Sequence, residues 1–326
     1  MANLDLAVSI HPYIHSPLSK NGVFFNRISA LAPILLLAIY HYGMIALFTF
    51  MISIFFVLLP TYISLKMAKR RLADIEYENY YYALLFALVL PAGTSYLKVA
   101  AGALAVYLIT FFPAAGSVLR IANPIAATSV FLTLAFNETM SLYHAPKALM
   151  SREWLNPFLT SQYFEDFLYN VHHGQFSTNE VKDLFTLLSG WHPGHYGELS
   201  ILLIISTTCF LKYKKSVDTA PIFGAFTGLA AAASFYFYSG GPSAILFEFI
   251  CHAFGTMFLF CSCFVLTDYY SAPQRYFSRF FYGIIFGAAF LALNRLNPGV
   301  DCAGYSLLIA SVFSPTLDSL SAGGRE

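Results

Sequence analysis

The chain has 326 residues, of which 58% are hydrophobic, 17% are aromatic and 11% are charged, and its formal net charge is +1. Soluble domains carry about 25% charged residues, so this composition excludes an ordinary soluble domain and requires lipid to cover the apolar excess. The near-neutral charge also gives no indication of a nucleic-acid partner. We therefore expect an all-α polytopic membrane protein, since helices satisfy their own backbone groups in lipid.

Residues 1–23 precede the first long apolar segment. They include His11, Pro12, His15 and Pro17 and contain no long apolar stretch. A signal peptide would need such a stretch. We predict that residues 1–23 form a cytoplasmic N-terminal arm.

Ten apolar segments follow this arm. A spanning helix needs about 20 residues, or fewer where it is broken or surrounded by protein. The segments predict ten transmembrane helices, at residues 24–42, 44–66, 78–94, 96–113, 122–142, 197–213, 217–238, 243–267, 276–293 and 300–318.

The basic residues favour one orientation of these helices. With a cytoplasmic N-terminus, 13 of the 18 Lys and Arg lie on the cytoplasmic side. Basic residues remain on that side during insertion. The densest groups follow the second and sixth segments: Lys66, Lys69, Arg70, Arg71, Lys212, Lys214 and Lys215. The C-terminal tail, residues 319–326, is then cytoplasmic as well.

A long loop at residues 143–196 divides the segments into two groups of five. Because each group has an odd number of segments, the unit at 24–142 and the unit at 197–318 would be inverted relative to each other. The same count places the loop outside the cytoplasm. Amphipathic stretches within the loop suit contact with membrane lipid or with an extracytoplasmic partner.

Helix-breaking residues occur at corresponding places in the two groups. The third segment ends at Leu90-Pro91-Ala92-Gly93, and the eighth ends at residues 266–273. Asn123-Pro124 and Asn297-Pro298 lie near the start of each last segment. Paired interruptions indicate an inverted repeat with a binding site near the membrane midplane, although Pro and Gly are also common in membrane helices in general.

Glu248 lies inside the eighth segment, and His252 follows one helical turn later. A carboxylate in hydrocarbon costs about 3 kcal/mol or more. The i, i+4 spacing places both residues on one helix face. This pattern fits a proton or cation relay, and it fits a structural pair facing another helix equally well.

Three further carboxylates lie at segment ends. Asp268 ends the eighth segment and Asp301 opens the tenth, where each could hold a cation or cap a helix. Glu198 begins the sixth segment. The helix dipole would favour a carboxylate in that first turn.

Histidines and cysteines do not form a metal-binding pattern. His172, His173, His192 and His195 lie in the long loop without a nearby cysteine, which favours surface histidines over a zinc site. The cysteines form no CxxC pair and are expected to be small buried hydrophobes: Cys209, Cys251, Cys261, Cys263 and Cys302.

Five stretches resemble ordered motifs of the RnfD/NqrB family. Residues 11–19 resemble its SPH-x-R-SPLS opening, and residues 122–127 resemble the second half of GGxGxNPFNPA. Residues 197–200 are similar to part of GSxGExSxLAILLG, and residues 266–273 to FMATDPVTSP. Residues 282–318 follow the last two spans of the family. The order and spacing agree along most of the chain.

This family supplies the large membrane subunit of Rnf and sodium-pumping NADH:quinone reductase complexes. The resemblance implies ten spans in two inverted five-helix repeats with broken helices. It also implies a flavoprotein subunit that passes electrons while ions cross a bacterial inner membrane. Other membrane subunits of such a complex would be its partners, and the nicotinamide and iron–sulfur sites would lie on them.

Family members attach FMN to the Thr of an S/T-G-A-T motif in the outer loop before the sixth span. That motif is absent here. The nearest positional match is Thr160, in Pro157-Phe-Leu-Thr160, and Thr178 is a second candidate.

Members also hold riboflavin near the broken helices. The glycine-rich part of the family motif before Asn123 is reduced here to residues 113–116, which leaves less room for close backbone approach. Asn123, Thr267 and Glu198 are the candidates for shaping this second flavin site.

We therefore expect an RnfD/NqrB-like membrane subunit of an ion-translocating electron-transfer complex, with an ion path through Glu248, His252, Asp268 and Asp301. Two alternatives remain. The chain could be a non-redox scaffold or anchor with a degenerate flavin site. It could also be a channel or transporter, because inverted repeats with broken helices build solute pathways too.

Overall fold

The computed structural model describes residues 19–69, 75–111, 122–136, 147, 151–155, 194–296 and 302–322. Within these ranges the regular structure is helical, and the only strand-type pairing is an isolated bridge between Pro91 and His195. The all-α prediction is therefore confirmed.

Five helices of the described ranges precede the long loop. Two of them, the first and the fifth, begin at a side-chain cap. The hydroxyl of Ser19, for example, accepts the backbone N–H of Gly22 and caps the first helix. The five are α1 (Lys20–Tyr42), α2 (Met44–Met67), α3 (Tyr77–Val89), α4 (Tyr96–Phe111) and α5 (Pro124–Ala135). A helical turn at Arg152–Leu155 lies within the loop itself.

After the long loop, the described residues form the helices α6 (Ile201–Tyr213), α7 (Ala220–Tyr236), α8 (Gly241–Phe254), α9 (Phe258–Val265), α10 (Tyr276–Leu296) and α11 (Ala303–Ala322). The C-terminal part of α9 is a π-helix over Cys261–Val265. Helices therefore form in all ten predicted apolar segments.

Three of the described helices are long and apolar enough to cross a membrane: α1, α2 and α10. The bent pair α8 and α9 makes a fourth if it counts as one span. The apolar helices α4, α5, α6 and α7 are shorter. Many large apolar side chains on these helices, such as Leu36, Met51 and Phe223, are exposed, as lipid-facing residues would be.

The eighth apolar segment is not one continuous helix. The chain bends by 66° between α8 and α9, so the segment predicted at residues 243–267 contains a break near its middle. Thr256 explains the break, because its hydroxyl donates to His252 O at 2.7 Å and accepts the N–H of Phe258 at 3.3 Å. One side chain thus satisfies backbone groups at the end of α8 and at the start of α9.

Glycines allow α7 and α10 to pack at very short distance. Gly224 and Gly228 on α7 face Gly283 and Gly287 on α10, and a Cβ on any of them would overlap backbone atoms of the other helix. Small residues four apart are the usual means by which membrane helices approach each other closely. This pair has the most extensive contact among the described helices.

The helix contacts of the two groups correspond to each other. The second helix packs on the fourth in each group, as α2 on α4 and α7 on α10. Between the groups, the first helices α1 and α6 are in contact, and so are the last helices α5 and α11.

Candidate cofactor and ion site

The C-terminal end of α9 is held by side chains from the first group of helices. A helix end leaves carbonyl groups without intrahelical partners. Here Phe264 O accepts from the Tyr81 hydroxyl at 3.2 Å, and Val265 O accepts from Asn123 Nδ2 at 2.8 Å. We call the side chains that close this end the α9 cluster: Arg27, Tyr81, Tyr82, Asn123, Asp268 and Ser271.

Arg27 supplies the cation of the α9 cluster. Its side chain lies on α1 and is only 3% exposed. One Nη group donates to Thr267 O at 2.7 Å and to Ser216 O at 3.3 Å, and the other donates to the Tyr81 hydroxyl at 3.4 Å. The planar guanidinium group suits this simultaneous bonding in several directions.

Asn123 joins the ends of two helices. Its Oδ1 accepts the backbone N–H groups of Ile125 and Ala126 and caps α5, which the Asn-Pro sequence favours. Its Nδ2 donates to Val265 O and to the Ser271 hydroxyl. An amide has both an acceptor and donors, so this residue can complete both helix ends at once.

Asp268 accepts four hydrogen bonds in the α9 cluster. Oδ1 accepts from the Tyr82 hydroxyl at 2.7 Å. Oδ2 accepts from the N–H groups of Tyr270 and Ser271 and from the Ser271 hydroxyl at 3.1–3.2 Å. This is the geometry of a carboxylate that caps a turn, one of the two roles considered for it.

A charged group lies beside the α9 cluster. Lys20 at the start of α1 forms ion pairs with Glu76 and Glu78. Glu78 is buried in the first turn of α3 and also accepts the Tyr270 hydroxyl at 3.1 Å. Burial raises the pKa of the Tyr270 phenol above its usual value, so this hydroxyl keeps its proton and donates to Glu78.

A cavity of about 710 Å³ opens next to Thr267 and Asp268. We call it the basic cavity, because four cations line it: Arg27, Lys212, Lys215 and Arg279. Asp218 and Asp268 are its carboxylates, and Tyr269 and Tyr270 are its aromatic residues. Its volume lies in the range of small-molecule sites, about 300–1,000 Å³.

The break after α3 has a partner in the second group of helices. Leu88 O accepts from Gly197 N at 2.8 Å, and Leu90 O accepts from Tyr196 N at 3.3 Å. Gly194 O in turn accepts from Ala92 N at 3.0 Å. The segment just before α6 therefore completes the backbone bonds that Pro91 interrupts.

Glu198 lies in this same junction and not in the first turn of α6. The helix cap is Ser200, so the predicted helix-dipole role is corrected. Oε1 of Glu198 accepts the backbone N–H of His195 at 2.7 Å, and Oε2 lies 3.4 Å from His195 Nδ1. The carboxylate closes the turn at residues 195–198, a local role typical of acidic residues in turns.

Glu248 and His252 lie on one face of α8, as their spacing predicts. His252 Nδ1 is 2.9 Å from Glu248 O and 3.4 Å from Glu248 Oε2. His252 is fully buried. The side chains form an ion pair only when His252 is protonated, so this geometry is compatible with a relay and with a structural pair.

Among the described residues, no three His, Cys, Asp or Glu side chains form a group that could hold a metal ion. Four of the cysteines are buried as expected, and Cys209 differs in being exposed on α6.

A family model for NQR2, RnfD and RnfE matches residues 7–323. The chain belongs to the NQR2, RnfD, RnfE family. A search of curated proteins found no match. Membership and the apolar helices together make the chain a multi-pass membrane protein and a membrane subunit of an Rnf/Nqr-type complex, whose other membrane subunits are its partners.

In this family member, three of the residues proposed from the sequence come together at one place. Asn123, Thr267 and Asp268 all lie at the end of α9. Glu198 belongs to the α3 junction, and the Glu248 pair belongs to α8. Thr160, Thr178 and Asp301 lie outside the described residues, as do His172, His173, His192 and Asn297.

Sequence reasoning missed Arg27, Glu78 and the two buried tyrosines of α3. For Arg27 and Glu78 the available signal was their position, since both lie within apolar helices where a charged side chain needs a partner.

Proposed function

We propose that this chain is a flavin-bearing subunit that passes electrons within an ion-translocating Rnf/Nqr-type complex. The observation that carries the proposal is the basic cavity beside the broken helix α9, lined by Thr267 and two tyrosines. Its volume admits a flavin-sized ligand. A bound flavin would supply the electron-transfer chemistry, while the protein supplies position and electrostatics.

The residues at the cavity would position such a ligand. Arg27 and Asn123 fix the end of α9, which keeps the polar groups of Thr267 and Asp268 in place. We propose that riboflavin or a related flavin binds here and that Asn123 and Thr267 shape the site. Glu198 would stabilise the junction between the end of α3 and the start of α6. For covalent FMN we propose Thr160, with Thr178 as the second candidate.

The proposed architecture is ten spans in two inverted repeats, residues 24–142 and 197–318, around the loop at 143–196. Its support is the cross-contact between the halves. Arg27, on the first helix of one half, donates to Thr267 O just after the end of α9. Gly197, just before the first helix of the other half, donates to Leu88 O near the end of α3. We propose a bacterial inner membrane with both termini cytoplasmic, and an extracytoplasmic partner for the loop.

Ion translocation is proposed to use the buried carboxylates. Asp268 and the Glu248–His252 pair are the described candidates, and Asp301 is the fourth member of the proposed path. Carboxylates within membrane segments are rare and usually functional. Four donors around Asp268 fix the orientation of its carboxyl group at the end of α9.

Flavin content tests the proposal directly. We expect the purified complex to absorb near about 450 nm, as flavins do. Fluorescence that survives denaturing electrophoresis on this subunit would establish covalent FMN, and Thr160→Ala should abolish it, whereas Thr178→Ala should not. Flavin released by denaturation would establish the non-covalent site. An intact complex without flavin would contradict the proposal and leave the scaffold and channel hypotheses.

A further inference from the structure

The basic cavity has more positive than negative charge available to a ligand. Of its two carboxylates, Asp218 is paired with Arg279 at 2.8 Å. Asp268 is enclosed by hydroxyl and backbone donors of the α9 cluster. Four cations face two carboxylates in the lining, which leaves a formal excess of two positive charges.

Arg27 makes this imbalance consequential because its charge is buried. Its hydrogen-bond acceptors are two carbonyl groups and a phenol, all of them neutral. None of the ion pairs found in the described part of the chain includes it. Burying a cation is unfavourable unless a negative charge compensates it. An anion in the cavity would provide that charge.

We propose that the basic cavity binds the phosphate group of an anionic ligand, with Arg27 at its buried end and Lys212 and Lys215 at its exposed rim. Arginine and lysine are the side chains that best recognise phosphate. The φ of Lys215 is +52°, a backbone conformation that non-glycine residues rarely adopt.

Two kinds of ligand carry a phosphate group that could bind in this cavity. Basic pockets between membrane helices bind phospholipid headgroups, and that source goes beyond the proposed function. The phosphate of non-covalent FMN is the second source, and it rests on the proposed function, because it names the flavin held in the same cavity.

Matched pairs of probes separate these possibilities. The full-length protein in neutral detergent, at constant ionic strength, is titrated with FMN against riboflavin, and with phosphatidylglycerol against diacylglycerol. FMN differs from riboflavin by the phosphate alone, and phosphatidylglycerol differs from diacylglycerol by the phosphate together with the glycerol that it carries. We expect the phosphate-bearing member of one pair to bind at least about tenfold more tightly. Preference for FMN identifies the nucleotide source, and preference for phosphatidylglycerol identifies the lipid source.

Exposed lysines give variants that keep the fold. Lys212→Gln combined with Lys215→Gln should reduce that preference about tenfold or more. Lys214→Gln is the control, because Lys214 is exposed in the same turn, lies over the Phe210 ring and does not line the cavity. An equal loss in the control would show a general surface-charge effect and overturn the inference.

Equal binding within both pairs of probes also overturns the phosphate inference. The outcome is distinct from failure of the proposed function. If riboflavin and FMN bind equally and the two lipids also bind equally, the flavin site stands and the phosphate site falls. If phosphatidylglycerol is preferred and neither flavin binds, the phosphate site stands and the flavin proposal for this cavity falls.

Discussion

Asn123 shows how one side chain can determine the position of two helix ends that are far apart in the sequence. Its amide oxygen caps α5, and its amide nitrogen bonds to Val265 O at the end of α9. Replacement by a side chain with only one of these functions leaves a buried backbone group without its partner. Arg27 likewise joins distant parts of the chain, because its guanidinium group donates to Thr267 O, 240 residues later.

Asn123→Ala should therefore destabilise the protein by about 2 kcal/mol or more, the sum of a lost helix cap and a lost buried hydrogen bond. The measurement is the thermal unfolding midpoint in detergent. Thr316→Ala serves as the control, because that exposed hydroxyl donates only within its own helix turn, to Phe313 O. Equal midpoints for the two variants would refute the bridging role.

Glu248→Gln tests the proposed relay on α8. The amide keeps the size of the side chain and removes the charge that lies 3.4 Å from His252 Nδ1. We expect ion transport in reconstituted vesicles to fall at least about tenfold, within the range that loss of a proton-transfer group produces. Glu76→Gln, at an exposed carboxylate outside α8, should transport normally. Unchanged transport in Glu248→Gln would leave this pair a structural role.

Prediction from the sequence succeeded where the relation between residues is local. The spacing of Glu248 and His252 fixes them on one helix face, and Asn123-Pro124 lies at the start of α5, as predicted for the start of that segment. The same approach could not find Arg27 as the partner of Thr267, because that contact depends on how two distant helices pack. It placed Glu198 in a helix, whereas the turn that His195 N–H closes lies before the helix begins.

At the scale of elements, breaks and close crossings determine where the polar groups lie. Thr256 divides the eighth segment into α8 and α9, and this bend directs the end of α9 toward Asn123. The glycine crossing of α7 and α10 holds two helices at backbone contact. The glycines at four-residue spacing were visible in the sequence, but their pairing depends on which helix lies opposite.

Gly287→Ala should disturb the α7–α10 crossing. Its Cβ would overlap Ala225 O and lie 2.7 Å from Leu229 N, both of which are backbone atoms that cannot move aside. We expect a loss of about 1–3 kcal/mol, as in other overpacked sites, although alanine favours an isolated helix. The thermal midpoint of Ala231→Val, an exposed position on α7, provides the comparison. A stabilised Gly287→Ala protein would contradict the close crossing.

At the scale of the whole molecule, the two groups of helices have corresponding internal contacts and exchange contacts at their breaks. Apolar length and the distribution of Lys and Arg predict the helices and an orientation. Neither could show that α1 packs on α6 or that α5 packs on α11. These contacts are what bring Asn123, Thr267 and Asp268 to one place.

The proposed orientation has a direct test in intact cells. A membrane-impermeant thiol reagent should label Leu155→Cys from outside and should label Lys214→Cys only after the membrane is opened. Both positions are exposed. The background should carry Cys209→Ala, since Cys209 is the exposed native thiol among the five. Labelling of Leu155→Cys only from the cytoplasm would invert the topology.

The exchange of contacts at the breaks has a consequence for biosynthesis. During synthesis, α3 is inserted long before Tyr196 and Gly197 have been made. Until then Leu88 O and Leu90 O lack the N–H donors that they have in the folded protein. In lipid such groups are costly until they are satisfied. Arg27 likewise lacks its acceptor Thr267 O until the second group of helices has been made. Insertion of the first five helices therefore yields an incomplete intermediate, and a chain that ends before residue 194 should be retained by insertion factors or degraded.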